Sequence, residues 1–73
     1  MNYTVKLEGR RNERCAKDFD NEKEARRYAE KLATLKKYAY DRLFTREAVI
    51  YSWEDGDSEM MELDRIPFKE ANN

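Results

Sequence analysis

Apolar and polar residues alternate at the start of the chain. Tyr3, Val5 and Leu7 share one parity, and polar residues occupy the positions between them. This period of two is typical of a strand with one buried face. Residues 9–12, Gly-Arg-Arg-Asn, then predict a turn, because Gly and Asn accept the positive φ that tight turns often need. The weaker alternation of residues 13–19 predicts a second strand.

The clearest periodic signal is a helix that begins at Asn21. Asn21 and Glu24 have the spacing of a capping box, in which each side chain bonds a backbone amide at the helix start. Beyond this cap, apolar residues recur at spacings of three and four, and charged residues lie largely off that stripe. We therefore expect one packed and one solvated helix face. The stripe consists of Ala25, Tyr28, Ala29, Leu32 and Leu35.

The segment from Tyr38 to Phe44 fits two interpretations. As a strand it places Tyr38, Tyr40, Arg42 and Phe44 on one face, and aromatic residues favour strands. As a continuation of the helix it prolongs the apolar stripe, but Lys36 then lies in the middle of that stripe. We favour the strand, because a helix reaching Phe44 would be about 36 Å long and a six-residue strand is only ~20 Å long.

The remaining pattern predicts a hairpin. Residues 48–53 alternate, with Val49, Tyr51 and Trp53 on one face. The dipeptide at 55–56, Asp-Gly, is a strong signal for a type I′ turn. Residues 59–66 return as the partner strand, and the proline that follows ends the strand because it has no amide donor.

These elements predict an α+β fold in which a single helix packs on one face of a small antiparallel sheet. The predicted order is β-β-α-β-β(-β), where the optional strand is the segment from Tyr38 to Phe44. A chain of 73 residues is too short for two cores, so residues 1–68 form one domain and residues 69–73 a polar tail. A net charge of -1 and five Tyr argue against disorder, although aliphatic residues are scarce.

The residue types present exclude several chemistries. The chain has no His and one cysteine, Cys15, so it offers neither an imidazole base nor a zinc site, and it cannot form an internal disulfide. The acidic run at 54–59 lacks the spacing of an EF-hand, and a solvated turn accounts for it better. We therefore expect no enzymatic activity, no catalytic residues, no metal and no cofactor.

Nothing in the sequence predicts a membrane segment. The longest apolar run, residues 48–51, is far shorter than the ~20 residues of a membrane span, and the first residues lack the pattern of a signal peptide. We expect a cytoplasmic protein without a membrane partner. Its size and charge density are typical of small accessory proteins of bacteria or phages.

Charge is segregated along the chain. Residues 1–46 carry thirteen Lys or Arg against eight Asp or Glu, a balance of +5. Residues 47–64 carry seven acids and no base, a balance of -7. This distribution predicts a basic body with an acidic hairpin, unless the fold brings the basic and acidic residues close together. Separated charge of this kind orients encounters with a charged partner.

The function we expect is a non-enzymatic protein-binding or regulatory module, such as an inhibitor that occludes a partner's surface. The partner is another protein or a second copy of the chain in a homodimer. Aromatic residues and methionine are enriched at such surfaces, and they occur here beside the acidic hairpin. The predicted protein-binding surface consists of Tyr51, Trp53, Glu54, Asp55, Asp57, Glu59 and Met60.

Nucleic-acid binding is the alternative. The chain interleaves aromatic and basic residues in one stretch, and such a strand face stacks unpaired bases while its cations neutralise phosphates. The net charge of -1 weighs against it, because nucleic-acid domains usually carry a basic surplus. The residues concerned are Lys36, Lys37, Tyr38, Tyr40, Arg42, Phe44 and Arg46.

Overall fold

The computed structural model of the protein describes residues 1–56 and 59–68, so Asp57 and the predicted tail at 69–73 lie outside the described residues. Within that part, four antiparallel strands form one sheet in the order β2-β1-β3-β4. One main helix lies against this sheet, which confirms the α+β prediction. The strands are β1 (Asn2–Glu8), β2 (Glu13–Phe19), β3 (Glu47–Trp53) and β4 (Met61–Pro67), and the helix is α1 (Glu22–Thr34).

Helix α1 begins as predicted. The side chain of Asn21 accepts a hydrogen bond from the Glu24 amide at 3.1 Å. Glu22 and Glu24 also place two carboxylates in the first turn, where their negative charges interact favourably with the positive end of the helix dipole. The helix ends at Thr34, because Leu35 adopts an extended conformation with φ -74° and ψ 143°. Leu35 therefore leaves the predicted apolar stripe and is exposed.

The core lies between α1 and the two central strands. The helix contributes two alanines four residues apart and one leucine, and small side chains let a helix approach a sheet closely. Tyr3, Phe19, Tyr28 and Ile66 pack around the edge of this core and are half-buried. The fully buried cluster consists of Val5, Leu7, Ala25, Ala29, Leu32, Ala48 and Ile50.

The segment from Tyr38 to Phe44 is not a strand, so that prediction was wrong, and the optional strand does not exist among the described residues. It forms a 3-10 helix at Lys36–Tyr38 and a short helix, α2 (Ala39–Arg42). An uninterrupted helix from Asn21 is equally wrong, because the extended Leu35 separates α1 from this segment.

Tertiary contacts explain why the segment coils. Tyr38 packs edge-on against Tyr28, with 6.3 Å between ring centroids. Arg42, four residues later, donates to the Leu32 carbonyl at 2.7 Å and thereby caps the last turn of α1. These two contacts need residues 38 and 42 on one helical face, which an extended chain would place too far apart.

The connection between β3 and β4 differs from a tight hairpin. Strand β3 ends at Trp53 and β4 begins at Met61, so seven residues separate the strands. Gly56 has a φ of 90°, as the Asp-Gly signal predicts, but Asp55 is not in the left-handed region. A two-residue type I′ turn needs positive φ at both positions and is therefore absent here.

Strand β2 carries an irregularity at Cys15. The register of β1 with β2 shifts between Val5 and Leu7, and Cys15 has a φ of 61°. A β-bulge of this kind twists an edge strand and redirects its side chains.

Among the described residues, no helix is both long and apolar enough to cross a membrane.

We predict that the backbone at Cys15 is strained. The left-handed region costs an L-residue about 1–2 kcal/mol, and the cost is larger for a β-branched side chain. Cys15→Val should therefore lower the free energy of unfolding by about 2 kcal/mol relative to Cys15→Gly, which accepts positive φ. Urea denaturation of both variants measures the difference. Equal stability of the two variants would mean that the bulge is not maintained in solution.

Candidate functional site

One face of the sheet is not covered by any helix among residues 1–56 and 59–68, and this face carries two residues of the predicted protein-binding surface. The Trp53 indole donates to the Thr4 hydroxyl at 2.9 Å, and that hydroxyl donates to Asp18 at 2.7 Å. The Tyr51 hydroxyl donates to the Glu8 carboxylate. Both aromatic residues are half-buried, and their polar atoms are already satisfied within the sheet.

A layer of ion pairs closes the same face. Lys6 bonds Glu13 at 2.9 Å and lies 5.2 Å from the Tyr51 ring centroid. Arg65 bonds Glu62 at 2.7 Å and also contacts Glu47. Lys6 and Arg65 stand on either side of Val49, which is fully buried although it lies on this uncovered face. The stems of long charged side chains cover apolar surface in this way.

The pKa of the Tyr51 phenol reflects this enclosure. Burial raises the pKa to about 12, and the hydrogen bond to Glu8 adds to the effect because a nearby carboxylate disfavours the phenolate. The polar side chains described on the uncovered face already form hydrogen bonds or ion pairs with one another. A binding partner would therefore have to compete with these bonds.

The other described residues of the predicted protein-binding surface lie at one end of the sheet. The Asn2 amide donates to Asp55 at 2.9 Å, which places the loop after β3 beside the start of β1. Asp20 and Glu24, at the start of α1, line a shallow cleft with Trp53 at the same end. We call this region the acidic end, and it comprises Asp20, Glu24, Glu54, Asp55, Glu59, Met60 and Met61, all exposed.

The opposite end of the sheet is basic. The 9–12 turn lies directly against the segment after α2, since a Cβ on Gly9 would lie 2.7 Å from the Phe44 carbonyl oxygen. The Asn12 side chain donates to the same carbonyl at 3.3 Å. We call this region the basic end, and its exposed cations are Arg10, Arg11, Lys36, Lys37 and Arg46.

An apolar surface, which we call the aromatic patch, lies at the basic end and consists of Tyr40, Leu43 and Phe44. Their exposed fractions are 64%, 77% and 42%. Tyr40 and Phe44 are four residues apart and contact each other edge-on at 5.2 Å between ring centroids. An exposed apolar cluster on so small a domain is a mark of an interaction site.

Arg14 fixes the geometry of the aromatic patch. Its guanidinium bonds Asp41 at 2.7 Å and lies 5.6 Å from the Tyr40 ring centroid and 5.0 Å from that of Phe44. The hydrogen bond from Arg14 lowers the pKa of Asp41, so the carboxylate remains charged. Cation–π contact and an ion pair together hold both rings against β2.

The structure divides the residues predicted for nucleic-acid binding. Tyr40, Phe44, Lys36, Lys37 and Arg46 are exposed at the basic end, whereas Tyr38 and Arg42 turn inward onto α1. Sequence reasoning missed Arg14 and Leu43 altogether. The four-residue spacing of the two exposed rings was a signal for α2, but the contact with Arg14 depends on the bulge in β2.

The chain has one thiol, that of Cys15, and this residue is half-buried. Burial raises the pKa of the Cys15 thiol, which favours the protonated form over the nucleophilic thiolate. Within residues 1–56 and 59–68, no group of three or more Cys, Asp or Glu side chains is arranged to hold a metal ion.

Comparison of the chain with protein-family models, with curated proteins and with solved structures finds no match.

We predict that Tyr51 makes stability fall at alkaline pH. The folded protein holds the phenol proton with a pKa of about 12 against an ordinary value of 10.0, so the contribution is complete below pH 10 and is lost as the pH rises toward 12. Between about pH 10 and pH 12, the unfolding free energy of Tyr51→Phe should decline less steeply than that of the wild type. Met60→Leu, which changes no titratable group at an exposed position, is the control and should follow the wild-type slope. Parallel curves for all three proteins would refute the assignment.

We predict that Arg14 orders the aromatic patch. In Arg14→Met, the amides of Leu43, Phe44 and Thr45, which bond carbonyls within residues 40–42, should exchange with solvent several-fold faster, because local opening becomes easier. Arg46→Met, which removes an exposed cation at the same end, should leave these rates unchanged. Hydrogen exchange followed by NMR measures each amide separately. Unaltered rates in Arg14→Met would show that α2 is held by other contacts.

Proposed function

We propose that this protein is a non-enzymatic protein-binding module whose contact surface is the aromatic patch. The observation that carries the proposal is Leu43, an aliphatic side chain 77% exposed beside two rings that Arg14 holds in place. The partner we propose is a protein with an apolar surface bordered by acidic side chains.

The composition of the patch supports a protein partner. Protein interfaces combine an apolar centre with a polar rim, and their strongest contributions come from Tyr, Trp and Arg anchors. Here the centre is Tyr40, Leu43 and Phe44, and the rim is the cations of the basic end. Because Arg14 already orders the rings, binding costs less side-chain entropy than a mobile surface would lose.

Strand addition at either edge of the sheet is a weaker route to binding. In β2, the Cys15 carbonyl already accepts from the Tyr28 hydroxyl at 2.9 Å, and the bulge twists the edge. In β4, the Arg65 amide donates to the Asp64 side chain at 2.8 Å, and Pro67 has no amide hydrogen. Interruptions of this kind protect sheet edges from pairing with another chain.

A nucleic acid would use the same end of the molecule differently. Bases would stack on Tyr40 and Phe44 while exposed cations neutralised phosphates. Leu43 is the most exposed of the three patch residues and gives no stacking surface, which favours the protein partner. The experiment below separates the two classes.

We predict that a photo-activatable cross-linking residue at position 43 captures a protein in the cells that express this chain. The same residue placed at Glu30, exposed on α1 and away from the patch, should capture nothing specific. A second substitution, Tyr40→Ala, should reduce the adduct at position 43 several-fold by removing half of the ring pair. Mass spectrometry of the adduct identifies what was captured.

Two results would overturn the proposal. An adduct that nuclease digestion removes would show a nucleic-acid partner. Equal yields at positions 43 and 30, or no adduct at position 43, would show that the patch has no partner.

A further inference from the structure

The two ends of the molecule complement each other, and we propose that the aromatic patch of one copy receives the acidic end of a second copy, so that the chain associates head to tail. This inference rests on the proposed function and names the partner of the same patch as another copy of the chain. It is supported by two kinds of complementarity between these surfaces: one end is basic and the other acidic, and each has exposed apolar side chains.

The acidic end has the properties that the patch requires of a partner. Met60 and Met61 are 50% and 73% exposed at the start of β4. Methionine side chains are flexible and polarisable, and they pack well against aromatic rings. Glu54, Asp55 and Glu59 lie in the same connection between β3 and β4 as Met60, and all three are exposed. One end thus combines methionines with acids, and the other combines rings with bases.

The strand order determines the kind of association. Arg14 belongs to β2 and Met61 to β4, which are the two outer strands of the sheet. Met61 pairs with Ser52 near the end of β3, whereas Arg14 pairs with Leu7 near the end of β1, and these two strands run antiparallel. The two surfaces therefore lie at opposite ends and on opposite edges of the sheet.

Because the two surfaces lie on opposite edges of the sheet, we expect a contact between one aromatic patch and one acidic end to leave the other two surfaces pointing away from it. A symmetric contact of either surface with itself would oppose like charges, which is unfavourable. A contact between unlike surfaces is heterologous, so one copy keeps a free acidic end, the other keeps a free aromatic patch, and the association continues to longer species. We therefore expect open oligomers of increasing length rather than a discrete dimer.

Sedimentation of the purified chain tests the first expectation. At about 20 mM salt the average mass should rise with protein concentration above the 8.8 kDa of one chain. At about 500 mM salt it should fall at least halfway back toward that value, because the rim charges are then screened. A mass of 8.8 kDa at every concentration and low salt would overturn the inference.

Two variants that each block one surface test the geometry. Leu43→Asp places a carboxylate in the aromatic patch, and Met61→Arg places a cation at the acidic end; both side chains are exposed, so folding should be kept. Each variant alone should remain monomeric, and their equimolar mixture should form a species of twice the chain mass and nothing longer. Glu30→Lys, a charge change elsewhere on the surface, should associate like the wild type.

The outcomes separate this inference from the proposed function. A discrete dimer in the wild type, or oligomers that persist in either variant alone, would show a different interface and overturn the head-to-tail arrangement. A monomeric chain whose cross-link at position 43 captures a different protein would overturn the self-association alone. Absence of both association and adduct would overturn both.

Discussion

One helix cannot cover a four-stranded sheet, and the rest of the structure follows from that constraint. Helix α1 has thirteen residues, so its length of about 20 Å matches the seven-residue strands, which are ~23 Å long. Its width of about 10 Å spans only two strands spaced ~4.8 Å apart. The buried cluster accordingly draws its strand residues from β1 and β3, the central pair. Both edge strands and the whole opposite face need other cover.

The chain supplies that cover with charged and aromatic side chains. Across the β4 edge, Arg26 of the helix bonds Asp64 at 2.8 Å. Across the β2 edge, Tyr28 contacts Phe19, with 5.3 Å between ring centroids. On the opposite face, the ion-pair layer of Lys6 and Arg65 takes the place of a second helix. Many of the 42% charged residues are thus structural, and exposed ion pairs of this kind contribute individually little but act here as a connected set.

The parts of the fold that could be predicted are those that neighbouring residues determine. The helix cap at Asn21 involves only the Asn21 side chain and the backbone amide of Glu24, three residues later. In β1, the alternation of apolar and polar residues directly indicates which side chains face the core. The segment from Tyr38 to Phe44 carries one local marker for a helix, the four-residue spacing of Tyr40 and Phe44, but its aromatic residues suit a strand as well. Contacts with Tyr28, Leu32 and Arg14 determine its conformation, and these residues are distant along the chain.

The site was harder to predict for the same reason. Tyr51 and Trp53 are typical interface residues, but whether their polar atoms are free depends on the strand that lies beside them. The sequence places β3 far from β1, whereas the fold pairs Thr4 with Tyr51 and leaves the indole of Trp53 bonded to Thr4. Arg14 could not be assigned a role, because the bulge at Cys15 that directs it toward α2 has no signature in residue type.

Charge shows why position in the fold matters more than order in the chain. The acidic segment at 47–64 does not remain together: Glu47 and Glu62 join Arg65 on the uncovered face, while Glu54, Asp55 and Glu59 form part of the acidic end. Residues from the basic part of the sequence, Asp20 and Glu24, join that end from the start of α1. The linear segregation is therefore partly neutralised and partly converted into a separation between the two ends of the sheet. A molecule that is nearly neutral overall still presents opposite charges to partners that approach its two ends, and with them two different apolar surfaces.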